Sequence, residues 1–220
     1  MQKLVFAQFT KSLLQISTMK FSATFEEKVE RSEEQGDKPL VSSYLNPGMV
    51  DVKKPSHFAL LELDPLMYFQ TWGEEVSTGK ARPFRFISKP SDKEVMTEMG
   101  KDFMWGKAYQ STENAPIKEA MAWPVYDFDN KVVRIFSCDQ FTIQKAIKRI
   151  ALNRKYKNLL DWDLCLSKIN TDGRISYDLQ VEPRDEDTES ELEAAWEKAQ
   201  KEGFDIKALL TNGDPFNPEG

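Results

Sequence analysis

Apolar and polar positions along this chain fall mostly into short alternating runs, the period of strands, with a few stretches of helical spacing between them. Residues 19–25 alternate Met19, Phe21, Ala23 and Phe25 with Lys20, Ser22 and Thr24, which predicts a half-buried strand. Residues 26–38 hold almost no apolar side chain and read as a solvated linker. After the turn YLNPGM (44–49), the runs HFALLEL (57–63), LMYFQTW (66–72) and RPFRFI (82–87) predict strands. The pattern then changes. SDKE (91–94) has the form of a capping box, with Val95, Met99 and Phe103 following at helical spacing. Residues 88–120 are expected to be a long excursion between two strands.

The stretch WPVYDFDNKVVRIF (123–136) predicts a hairpin that turns at Asp129-Asn130. A two-residue turn there sets Val125 opposite Arg134 and Trp123 opposite Phe136. The other face, with Pro124, Tyr126, Phe128, Val133 and Ile135, is the drier one. SCDQ (137–140) reads as the cap of a helix whose Ile143, Ile147, Ile150 and Ala151 line one side. WDLCLSK (162–168) and RISYDLQV (174–181) predict a second hairpin around NTDG, with Ile175, Tyr177, Leu179 and Val181 on one face. TESE (188–191) is a second capping pattern, ahead of a helix with Leu192, Ala195, Trp196 and Ala199 on one side. The expected organisation is an N-terminal arm and charged linker (1–43), a β core (44–184) interrupted by the 88–120 insertion, and an acidic C-terminal helix and tail (185–220).

Composition narrows the chemistry. With 40% apolar and 30% charged residues the chain has enough apolar side chains for a core and the charge of a soluble protein. No apolar run approaches the roughly 20 residues of a membrane-spanning helix, so no membrane partner is expected. The start of the chain, with short broken apolar runs and no Arg, matches neither a signal nor a transit peptide. The net charge of −6 is unevenly spread: residues from Glu182 onward carry 12 acids and 4 bases, the preceding part 24 acids and 26 bases. The acidity belongs to the tail, and the body is mildly basic. Between Gln140 and Leu160 there is no acid at all, while Lys145, Lys148, Arg149, Arg154, Lys155 and Lys157 follow one another.

Catalytic readings are thin. The one histidine, His57, has no nucleophile motif near it, and neither GxxxxGK[ST] nor GxGxxG occurs. Asp127/Asp129 and Asp161/Asp163 are paired carboxylates with Mg²⁺-binding spacing, but turn chemistry accounts for Asp129. Cys138, Cys165 and His57 are widely spaced and too few for a structural zinc, so no metal or cofactor is expected and the cysteines read as reduced core thiols. What the strands do offer is rings beside cations, the pair that single-stranded nucleic acid requires. RPFRFI sets Arg82, Phe84 and Phe86 on one face, and the 123–136 hairpin sets Trp123 and Phe136 beside Arg134.

YLNPG, RPFRFISKPSD, AWPVYDFDNKVVRIF and YKNLLDWDLCLSKINTDGRISYDLQVEPR together resemble the single-stranded-DNA-binding proteins of tailed bacteriophages, over roughly residues 44–184. The resemblance implies a mainly β fold of OB type, a five-stranded, partly open Greek-key barrel. It implies a non-enzymatic role, coating exposed strands during phage DNA replication and recombination in the cytoplasm of the infected host cell. It implies DNA contacts from Arg82, Phe84, Arg85, Phe86, Trp123, Tyr126, Arg134, Lys168, Arg174 and Tyr177. It also implies a tail, here with Trp196, Asp214 and Phe216, that is offered to other replication or recombination proteins. Some members of the family carry a zinc-binding insert whose ligands this chain lacks, and the acids that precede a terminal Pro-Phe in bacterial versions are sparse here. The competing readings are a small β-domain that binds a polymerase or virion component through the tail helix, and a binder of single-stranded RNA. The 19–25 strand, if it pairs with a neighbouring copy, would make a homo-oligomer.

Overall fold

Among the described residues nine strands form, most of them where the alternation begins. They are β1 (Tyr44–Leu45), β2 (Ser56–Leu60), β3 (Leu66–Glu75), β4 (Ala81–Phe86), β5 (Phe103–Trp105), β6 (Lys118–Asp127), β7 (Val132–Cys138), β8 (Trp162–Thr171) and β9 (Arg174–Pro183). Among the described residues, three α-helices accompany them: α1 (Asp92–Met99), α2 (Phe141–Ala151) and α3 (Glu186–Lys201). The computed structural model describes residues 41–218, so the strand expected at 19–25 and the linker at 26–38 lie outside the described residues. Among the described residues, no helix is long and apolar enough to cross a membrane.

The strands make one mixed sheet in the order β1-β7-β6-β2-β8-β9, with β3 also on β6, and β4 and β5 on β3. Among the described strands, β1 and β7 are the one parallel pair. The centre is β6, one edge of which pairs with β7 throughout. Its other edge is shared: Val125–Asp127 pair with β2, and Lys118–Ala122 pair with β3. The sheet therefore branches at residues 61–65, and its ladders stay open rather than closing into a ring. The 88–120 excursion is shorter than expected. It contributes β5 to the sheet, and its last residues already belong to β6.

The hairpin register is the expected one, Val125 opposite Arg134 and Trp123 opposite Phe136, but the turn spans residues 128–131 rather than two residues, closed by Lys131 N donating to Asp127 O. What those residues touch is different from the expectation. Trp123, Val125 and Phe136 join Phe58, Leu164, Leu166 and Leu179 in the main core, closed by Ile143, Ile147 and Ile150 of α2. On the opposite face, Tyr126, Ala59 and Leu61 are covered by Leu192, Ala195 and Trp196 of α3. Farther along that face, Tyr68, Ala120, Ala122 and Ile135 are covered by Leu209, Phe204 and Phe216 from beyond α3. Both arms of the hairpin mix large apolar residues because both faces are buried. Residues 185–218 are not a free tail: Leu192, Ala195, Trp196, Phe204, Leu209 and Phe216 pack onto the sheet.

Caps explain where the helices start. Ser91 Oγ accepts from Glu94 N and the Glu94 carboxylate accepts from Ser91 N at 2.7 Å, the expected capping box of α1. The SCDQ pattern does not act this way. Burial of Cys138 keeps β7 running through it, and Ser137 Oγ meets Tyr68 Oη at 2.8 Å instead. TESE is likewise passed over. Helix α3 starts at Glu186, and Thr188 Oγ1 donates to Asp185 O. Two glycines are fixed by packing: a Cβ on Gly73 would stand 2.6 Å from the Phe84 ring, and one on Gly106 2.8 Å from Trp72 O.

Candidate nucleic-acid interface

Four of the ten residues expected to face DNA are buried. Phe84 is 0% exposed, Trp123 and Tyr126 2%, and Arg134 8%. Arg134 is held by Asp127 at 2.6 Å, by Ser42 O at 2.8 Å and by Tyr44 O, so it ties the edge strand β1 to the hairpin. Asp127 also accepts from Asp129 N, Asn130 N and Asn130 Nδ2, which spends its carboxylate on the turn. An arginine among strand rings signals phosphate contact only if no carboxylate of its own chain reaches it, and here one does. The Asp-x-Asp pairs therefore do not converge as a metal site: Asp161 bonds Asn158 Nδ2 at 2.6 Å, and Asp163 pairs with Arg184 at 2.9 Å. Burial raises the Asp163 carboxyl above its ordinary range despite that arginine.

The other six lie at or near the surface, without meeting in one place. Arg82 is exposed, with its guanidinium 4.6 Å from the Phe84 ring centre and 4.2 Å from that of Phe103. Arg85 lies between Tyr44 and Tyr68 on the opposite face, and its Nε is buried without a partner. Phe86 is half-buried, opposite Phe69. Lys168 donates to Gly48 O at 2.8 Å, and its cross-strand partner Tyr177 packs on the main core. Arg174 is exposed at the tip of the β8–β9 hairpin, where Asp172 and Gly173 take positive φ. Two of the three tail residues turn inward: Trp196 and Phe216 pack edge-on against Phe204, at 5.4 and 5.0 Å, while Asp214 stays exposed and accepts from Phe216 N.

A groove of about 1010 Å³ runs between α2 and the 61–65 bend. Leu63, Met121, Phe141, Ile147 and Leu152 line it, with Trp123 in its wall, where the indole N–H donates to Leu63 O at 3.2 Å. Lys145, Lys148, Arg149 and Lys157 also line it, against two carboxylates, Asp64 and Glu119. Phe141 is 72% exposed and Leu152 74%, an unusual outlay for large apolar side chains. Beside the groove, Met67 and Met121 are paired across β3 and β6, and Phe69 and Phe86 across β3 and β4, all on the same sheet face. Apolar and aromatic surface thus continues from the groove along that face. A second, smaller hollow of about 270 Å³ holds Trp72, Tyr109, Lys107 and Lys118. Trp72 is 44% exposed and Tyr109 90%.

Sequence reading had singled out the basic run but missed its apolar partners. Phe141 and Leu152 were legible. At 100° per residue both fall on the side of α2 opposite Ile143, where a solvated helix face has no use for them. The exposure of Trp72 and Tyr109 had no such signal. Comparison of the chain with protein-family models, with curated proteins and with solved structures returns no match.

Proposed function

We propose that this protein binds single-stranded DNA without sequence preference and without catalysis, as a coating protein of phage replication or recombination. The observation that carries the reading is the α2 groove, in which exposed Phe141 and Leu152 stand among Lys145, Lys148, Arg149 and Lys157. Bases unstacked from a single strand need ring and apolar faces, and phosphates need cations at similar spacing. A duplex keeps its bases stacked and offers only the second. The hollow with Trp72 and Tyr109 would extend the same chemistry over further nucleotides.

The fold belongs to this proposal in its finer form. A bent β2–β3, followed by β6, β7, α2 and the β8–β9 hairpin, supports a partly open OB-like barrel, the open side lying between β1 on the β7 edge and β9. The competing interaction-protein reading uses the tail helix around Trp196, whose indole packs against Phe204 and the β6–β7 face, leaving less of it to offer a partner.

The test is tryptophan fluorescence titrated with a single-stranded oligonucleotide, with the matching duplex and with RNA, at several salt concentrations. Quenching by the DNA strand that weakens with salt, and a weak response to duplex, is the expected result. No response to either strand at low salt overturns the proposal. Equal affinity for the RNA strand would move it to single-stranded nucleic acid in general, since discrimination between the two rests on the 2′-hydroxyl.

A further inference from the structure

His57, Cys165 and Glu182 are far apart along the chain, but the sheet brings them together. His57 on β2 and Cys165 on β8 are direct cross-strand partners. Glu182 on β9 lies two residues beyond Gln180, the partner of Cys165, so all three side chains leave the same face. One ligand atom from each lies within 4.8 Å of the others. The His57 imidazole and the Glu182 carboxylate are 3.9 Å apart and about half exposed, whereas Cys165 is 7% exposed beneath them. Among the described residues, His57 is the one ion-pair partner of Glu182, and that pair is charged only when the imidazole is protonated.

We propose that these three residues form a binding site for one borderline-soft divalent cation, of which zinc is the natural occupant. A thiolate, an imidazole nitrogen and a carboxylate are zinc donors, with bonds of about 2.0–2.3 Å, which put tetrahedral donors about 3.5 Å apart. The His57–Glu182 approach of 3.9 Å is already close to that value, and all three ligand atoms stand within 4.8 Å of one another. The thiolate excludes Mg²⁺ and Ca²⁺ as preferred occupants, because hard cations take oxygen ligands. Binding releases the Cys165 thiol proton to solvent. Three protein ligands leave the fourth position to water, and the ion would clip β2, β8 and β9 together. The site is independent of the α2 groove and stands or falls separately from DNA binding.

The test is titration of the full chain with Co²⁺ in a reducing, phosphine-containing buffer, followed by absorption. A thiolate-to-cobalt charge-transfer band that saturates at one ion per chain and is bleached by Zn²⁺ is expected. Cys165→Ser should abolish the band, Cys138→Ser should retain it, and Glu182→Gln and His57→Gln should each weaken affinity at least about tenfold. No band at millimolar cobalt, or a band that survives Cys165→Ser, overturns the proposal. So does unchanged affinity in both Glu182→Gln and His57→Gln. Those two variants change half-exposed side chains, so they keep the test decisive should Cys165→Ser fail to fold.

Discussion

Converting Lys145, Lys148, Arg149 and Lys157 together to glutamine tests the groove directly. All four are exposed and none takes part in an ion pair with another described residue, so the fold should survive. Lys148 and Arg149 sit in the last turn of α2, where they offset the negative end of the helix dipole; that loss costs at most about 1 kcal/mol each. If each cation neutralises one phosphate of a single strand, each contributes about 0.7 to the slope of log K against log salt. The variant should then lose about 2.8 from the slope. Over a fourfold rise in salt, such a slope amounts to about a 50-fold change in affinity, which the wild-type chain should show and the variant should lose. The assay is fluorescence titration at four or five salt concentrations, with a thermal melt on the same samples. A slope within 0.7 of wild type, less than one phosphate contact, would refute the assignment of the groove. Transfer of the effect to Lys107→Gln/Lys118→Gln would place the strand in the Trp72 hollow instead.

Phe141→Ala should weaken single-strand affinity by about 1–3 kcal/mol, the worth of one stacked base, with an unchanged salt slope and melting temperature, since the ring is 72% exposed. Arg134→Met should do the reverse: removing one partner of a buried ion pair costs about 3–5 kcal/mol in a denaturation curve, with the salt slope unaltered. Leu209→Ala, at a side chain that is 0% exposed, should cost about 2–5 kcal/mol, whereas a C-terminal stretch that merely hangs free would show nothing. Burial pushes the Cys138 thiol from 9.0 up to about 12, so the folded chain keeps it protonated where the unfolded chain ionises it. Stability should therefore fall as pH rises from about 9 towards 12, more steeply in wild type than in Cys138→Ala, as followed by urea melts at each pH.

Local patterning carried the strands, the hairpin register and the α1 cap, because each depends on neighbours a few residues away. It failed where distant chain decides. Nothing within WPVYDFDNKVVRIF states that α2 will cover one of its faces and α3 the other, so an alternation with rings and an arginine on one side looked like a half-open strand. The acidic C-terminal stretch misled in the same way. Its charges face water, but Leu192, Trp196, Leu209 and Phe216 supply what the sheet needs on its second face. The capping patterns at 137–140 and 188–191 were overruled by burial of Cys138 and by a helix that starts earlier.

These corrections move the functional reading without removing its physics. A chain that buries Trp123 and pairs Arg134 with its own Asp127 has spent those groups on stability, and what is left to act on a ligand is what folding did not use. By that criterion the informative residues are the ones that look wasteful. Phe141 and Leu152 lie on the wet side of a helix, Trp72 and Tyr109 are open to solvent, and an acid-free run of cations surrounds the first pair. Exposed apolar area has a free-energy cost of about 25 cal/mol per Å², and uncompensated like charge adds repulsion to it. A polyanion with unstacked bases relieves both at one surface, which a small apolar ligand, an acidic peptide without rings or a duplex each does only in part.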